Sequence, residues 1–173
     1  EMIGTALDII TALWKSKDSD TKYELKEYRK KRSKSQNAYY WSLLGEVARV
    51  TGIHSARIHN ENLRHLGLVF KVGGELVITF LPDTEEGEQT ALESEELHLQ
   101  PTSQVKDGKR CRLRAYKLLR GSSDFNTAEM SALVDLMVEE AKAQGIETMP
   151  PDELARIRQY EQQNEAHKHT SEG

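Results

Sequence analysis

Cysteine is almost missing from this chain. Cys111 stands alone among 173 residues, which excludes a disulfide within the chain and any cysteine-built metal cluster and suits a cytoplasmic setting. Aromatic residues are few, at 6% against 30% charged, so most of the surface is solvated. No hydrophobic run approaches transmembrane length and no signal peptide is visible, so no membrane partner is expected. There is no phosphate-cradling glycine loop, no Gly-x-Ser-x-Gly and no Cys/His pair in a fitting context. That removes the commonest signatures of nucleotide binding and nucleophilic catalysis. No internal repeat is present.

What is present is enough chain for one domain with a real core, and a segregated charge. The formal net charge of -4 argues against a uniformly basic nucleic-acid binder. Yet residues 15–64 hold 12 Lys/Arg against 6 Asp/Glu, and residues 106–120 hold 7 Lys/Arg against one Asp. The acidic excess lies at 83–96 and in the last third. Such a pattern is compatible with one basic face, and equally with ordinary solvated faces.

Hydrophobic periodicity gives the elements. A helix over 5–15 is capped by Thr5. Lys22 to Arg29 alternates as a half-buried strand. A basic connector leads into a long helix over about 35–51 that Gly52 ends. Tyr40, Leu43, Val47 and Val50 make one apolar stripe of this helix, and Trp41, Leu44 and Ala48 make the adjoining one. Trp41 is therefore expected in the core, and Tyr39 is the ring left for solvent. A short helix over 55–66 follows. Gly73-Gly74 suits a tight hairpin turn, because both central residues need positive φ. The acidic stretch 82–96 reads as an exposed, mobile loop. Strands over 97–100 and 110–119 flank a turn at Lys106-Asp107-Gly108-Lys109, and Arg110, Arg112, Arg114 and Tyr116 alternate onto one face of the second. Asn126 and Glu129 form a capping box for a helix over 127–144. A last helix runs over 152–163, and 164–173 reads as a disordered tail. The whole is a mixed α+β arrangement: one domain over 1–163, with about five helices, a small antiparallel sheet and hairpins.

Phosphates require cations and bases require ring faces. One candidate set surrounds the start of the long helix: Arg29, Lys30, Lys31, Arg32, Ser33, Lys34, Gln36, Asn37 and Tyr39. There the free N–H groups and the helix dipole also favour an anion. A second set is Arg110, Arg112, Arg114 and Arg120. Gln36 and Asn37 suit helix capping as well as ligand contact. The enzyme alternative is a metal-dependent HNH-type endonuclease, with His59 and His98 as its candidates. It is the only reading that calls for a cofactor, a divalent metal. Against it, His54, His59 and His65 lie along one short helix before any hairpin, no nearby Asp completes a metal set, and a lone strand histidine is more often a structural hydrogen-bonder.

Lys31-Arg32-Ser33 followed by Asn37-Ala38-Tyr39-Tyr40, then Glu96-Leu97-His98-Leu99-Gln100-Pro101, then Arg120-Gly121-Ser122-Ser123 with Glu129-Met130-Ser131 and Gly145-Ile146-Glu147-Thr148, resemble a group of small proteins of Gram-positive phages and prophages. Automatic labelling calls that group HNHc nucleases. The Arg-Ser-x-x-Gln-Asn start of the long helix also resembles the phage NinB (lambda Orf) recombination-mediator family, a distant relative of the same group. The likeness covers most of residues 22–158. It implies a NinB-like α+β fold, a homodimer, and a DNA-recombination accessory role in the bacterial host cytoplasm. In that role the protein binds single-stranded DNA, or DNA coated by single-strand binding protein, and helps a recombinase load without covalent chemistry. The group label implies the nuclease instead. The acidic segments suit a third reading, a phage factor that binds a protein.

Overall fold

The computed structural model describes residues 34–170, with side-chain surroundings for residues 36–163. The expected helix over 5–15, the strand over 22–29, and Arg29, Lys30, Lys31, Arg32 and Ser33 lie outside the described residues, as does the side chain of Lys34.

Helix α1 spans Lys34–Thr51. Tyr40, Leu43, Leu44 and Val47 recur at helical spacing and are all buried, so one stripe drives the helix into the core. Helix α2 spans Ser55–Leu66 and is capped by His54, whose Nδ1 accepts from the Ala56 N–H at 3.3 Å. Strands β1 (Lys71–Val72) and β2 (Glu75–Leu76) pair antiparallel around Gly73-Gly74, which takes the expected positive φ at both positions. Strands β3 (Ile78–Pro82), β4 (Leu99–Asp107) and β5 (Arg112–Leu118) form an antiparallel sheet in the order β3-β5-β4. Helix α4, Thr127–Ala143, starts at Asn126, which with Glu129 makes the reciprocal capping box read from the sequence. The expected α+β class is thus the observed one.

Three expectations change. The strand expected over 97–100 is the longer β4, which runs on into the expected turn at 106–109. The acidic stretch is not an irregular loop: Glu85–Glu93 is a helix, α3. The Thr84 side chain accepts from the Gly87 N–H at 3.2 Å, and Glu85, Glu86 and Glu88 sit in the first turn, where carboxylates oppose the dipole favourably. Gly87 is required there, since a Cβ would lie 2.1 Å from the Pro82 carbonyl oxygen. The last helix, α5, spans Pro151–Thr170 and so continues past residue 163.

Packing divides the molecule into two cores. The larger joins α1, α2, α4 and α5 through Tyr40, Leu44, Val47, Leu63, Leu133 and Met137, with Leu119 and Phe125 added from the segment after β5. The smaller seats α3 on the sheet through Ala91, Leu99 and Tyr116. Helix α2 touches both, since it packs on α1 and α4 on one side and on α3 and β4 on the other.

Candidate functional site

Asn60 is the hinge between the two cores. It is buried on α2, and its amide nitrogen donates to the Leu92 carbonyl at 2.6 Å and to the Ser94 carbonyl at 2.8 Å. Both donors are therefore committed to the end of α3. Its Oδ1 faces His98 Nδ1 at 2.6 Å, just before β4 begins. On the preceding residue, His59 is 6% exposed and its Nδ1 lies 2.7 Å from the Tyr40 hydroxyl. The two imidazoles meet edge to face, with ring centroids 5.3 Å apart. Gly121 borders His98: a Cβ there would lie 3.3 Å from both Cδ2 and Nε2 of the ring.

Trp41 closes the other end of this row. Its ring packs on His59 at 4.9 Å and edge-on to Tyr40 at 5.4 Å. Its Nε1 donates to Asn37 Oδ1 at 3.0 Å. The ring is held on three sides, and the residue is still 43% exposed.

Burial sets the electrostatics. It pushes His59 down to about 4, with His98 as a further lowering influence. It also lowers His98 and raises the Tyr40 phenol, an effect that a hydrogen bond from Asn62 partly offsets. Both imidazoles are therefore neutral at neutral pH, and the phenol keeps its proton.

The expected binding residues fare differently. Around α1, the roles of Tyr39 and Trp41 are exchanged. Tyr39 is half-buried against the larger core and its hydroxyl accepts from the Met149 N–H at 2.8 Å. Gln36 is fully buried; its amide donates to Glu161 and accepts from the Ser131 hydroxyl at 2.8 Å, so it ties α1 to α4 and α5 instead of facing a ligand. Asn37 holds Trp41.

On β5, Arg114 donates to Asp83 at 2.7 Å and to the Thr102 carbonyl at 2.9 Å, while Arg112 approaches Asp83 at 3.5 Å. Tyr116, on the same face, donates to Glu88 at 2.8 Å and is pushed up to about 12 by burial and then by that carboxylate. Arg120, 10% exposed in its side chain, pairs with Glu129 and lies over Phe125. Only Arg110 of this set is exposed without a partner among the described residues. Asp83, just before α3, thus holds two arginines of the strand face, while Glu88 of α3 pairs with Arg64.

The sequence names His59 and His98 only as nuclease candidates on separate elements. The fold brings them together, with Asn60 as the link. The missed signal is the His59-Asn60 pair itself: adjacent polar residues on a helix face that also carries Ile58 and Leu63. Among the described residues no group of three His, Cys, Asp or Glu side chains is placed to hold a metal, and no helix is long and apolar enough to cross a membrane.

Three stretches far apart in the chain thus converge here: the Tyr40-Trp41 turn of α1, Leu97-His98-Leu99, and Arg120-Gly121-Ser122. No family model, curated protein or solved structure matches this chain.

Proposed function

We propose that the protein is a phage-type DNA-recombination accessory factor that binds single-stranded DNA, free or coated by single-strand binding protein, and acts without covalent chemistry. The observation that carries the reading is the open Trp41 ring, braced by His59, Tyr40 and Asn37 and still accessible. Ordering a solvated ring costs side-chain entropy, and a ring already held gives that cost back on stacking. Base–aromatic stacking contributes about 1–3 kcal/mol per base and tolerates any sequence.

The cations Arg29, Lys30, Lys31, Arg32 and Lys34 adjoin the start of α1 in the chain. Trp41 lies about 10 Å along the helix from Lys34, a reach that suits phosphates flanking a stacked base. The likeness of Lys31–Tyr40, Glu96–Pro101 and Arg120–Ser123 to the phage group supports the same role, with a recombinase as partner and a homodimer as assembly.

The test is fluorescence anisotropy with labelled single-stranded and duplex oligonucleotides at two salt concentrations. Salt-sensitive binding of intact single strands is expected. Equal affinity for duplex, or none for either, would overturn the reading.

One observation favours the nuclease as a second reading: His59 and His98 lie side by side, where one could serve as a base. That reading predicts strand shortening on a denaturing gel with Mg²⁺ or Mn²⁺ and none with EDTA.

A further inference from the structure

The two histidines have opposite proton positions, and the hydrogen bonds say which. Asn60 uses both amide hydrogens on the Leu92 and Ser94 carbonyls, so the atom facing His98 is its oxygen, which only accepts. His98 Nδ1 must then carry the proton, and His98 Nε2 is a bare lone pair. For His59 the logic reverses. The Tyr40 hydroxyl is fully buried and His59 Nδ1 is the acceptor beside it. A phenol that keeps its proton must place it somewhere, and a buried unpaired O–H is costly. Tyr40 therefore donates, His59 Nδ1 accepts, and His59 Nε2 carries the hydrogen.

Neither Nε2 has a hydrogen-bond partner among the described residues, and neither is among the buried atoms left unpaired. Neither atom is therefore completely enclosed, although His59 as a whole is only 6% exposed and His98 is half-buried. The result is a donor and an acceptor on adjoining rings, beside the Trp41 platform. Both are locked in place by partners that are themselves locked.

We propose that the Nε2–H of His59 and the bare Nε2 of His98 together receive the Watson–Crick edge of one unpaired nucleobase. The inference rests on the single-strand reading and deepens it. Every base carries a hydrogen-bond acceptor next to a donor on that edge, and in a duplex both are occupied by the opposite strand. A fixed donor–acceptor pair thus selects unpaired bases over paired ones without selecting a sequence. A bare ring stack would not make that distinction so sharply, and phosphate contacts would not make it at all. Gly121 keeps the His98 lone pair open, because a Cβ there would crowd Nε2 at 3.3 Å.

The direct variant is Gly121→Ala. Its backbone, at φ -69 and ψ 152, is ordinary extended geometry that alanine adopts freely, so the substitution spares the turn and sets a methyl 3.3 Å from the Cδ2–Nε2 edge of His98, a contact tight enough to displace the ring by a few tenths of an ångström. Three probes are titrated at one salt concentration: an oligothymidylate, the same length of abasic deoxyribose-phosphate strand, and a duplex. For the wild-type chain the oligothymidylate is expected to bind tighter than either control. Gly121→Ala is expected to weaken oligothymidylate binding roughly five-fold, the loss of about one hydrogen bond, and to leave the other two probes unchanged. Unchanged oligothymidylate binding by Gly121→Ala would overturn the base-edge proposal and leave the single-strand reading standing. Absence of oligothymidylate binding by the wild-type chain would overturn both. Nitrogen-15 NMR of the imidazoles at neutral pH checks the premise without any ligand: the expected bare nitrogens are Nδ1 of His59 and Nε2 of His98, and a bare Nδ1 on His98 would overturn the proposal.

Discussion

Strand β5 and helix α1 both carry residues that the sequence offers for binding, and the fold uses the described ones in opposite ways. Arg112, Arg114 and Tyr116 on β5 meet Asp83 and Glu88, and Arg120 beyond it meets Glu129. Arg112 and Arg114 share the one carboxylate of Asp83, and Arg120 has that of Glu129. Around α1, α2 and the approach to β4, Trp41 stays partly open, and His59 and His98 each keep one ring nitrogen unpaired among the described residues. The difference teaches that a basic run whose arginines already hold carboxylates is not an open binding face. An ion pair partly enclosed by protein has already replaced its water, and a phosphate would have to displace an existing carboxylate. A braced ring with no partner has nothing to displace.

The largest effect that would break this contrast is in the pH dependence. His59 has a folded value near 4 against an ordinary 6.5, so below 6.5 the unfolded chain takes up a proton that the folded chain refuses. Stability is then complete above pH 6.5 and is lost as pH falls from 6.5 to 4, by about 3 kcal/mol in all. Urea denaturation at pH 7 and pH 4.5 reads it. His59→Gln should flatten most of that slope, and an unflattened slope would show that the imidazole is not buried neutral.

Arg120 is next in size. If its role is structural, Arg120→Ala leaves Glu129 without its counterion at the start of α4. Glu129 still accepts from the Asn126 N–H, so the loss is that of a partly buried ion pair, about 2 kcal/mol, a fall of about 6 °C in Tm, read by calorimetry. A variant of unchanged stability with weakened DNA binding would return Arg120 to the binding face.

Trp41→Ala should weaken single-strand binding by about 1–3 kcal/mol with a smaller loss of stability, because much of the residue is already in water. The smallest effect is expected of Arg112→Ala. The Arg112 side chain is 62% exposed, and a pair so open contributes about 0–1 kcal/mol, so neither chemical denaturation nor DNA titration should shift much. A large loss of binding would restore β5 as an interface.

Local patterns made much of this legible in the sequence. Most of the α1 stripe, the Gly73-Gly74 turn and the Asn126/Glu129 capping box are each written within a few residues and are found where local pattern places them, whereas Val50 of the stripe is exposed and the expected strand over 97–100 proves to be the longer Leu99–Asp107. Helix α3 was hidden because its acids look like loop composition. Only Thr84 before the acidic first turn, and the pair Ala91-Leu92, signal a helix. The exposure of Trp41 was hidden for a different reason. Leu44 shares its stripe and is buried, and the orientation of Trp41 is settled by Asn37 and His59 instead of by spacing. The site itself depends on contacts between residues 19 to 38 positions apart, which no local window contains. The pairing of β5 with Asp83 and Glu88 is hidden in the same way: both runs are plain in the sequence, but not that they face each other.

The most direct measurement compares Trp41→Ala and Arg112→Ala side by side, by anisotropy on one labelled single strand at one moderate salt concentration. The account predicts that Trp41→Ala loses at least about five-fold in affinity while Arg112→Ala stays within about two-fold of the wild-type chain. The reverse order, with Arg112 dominant and Trp41 neutral, would contradict it.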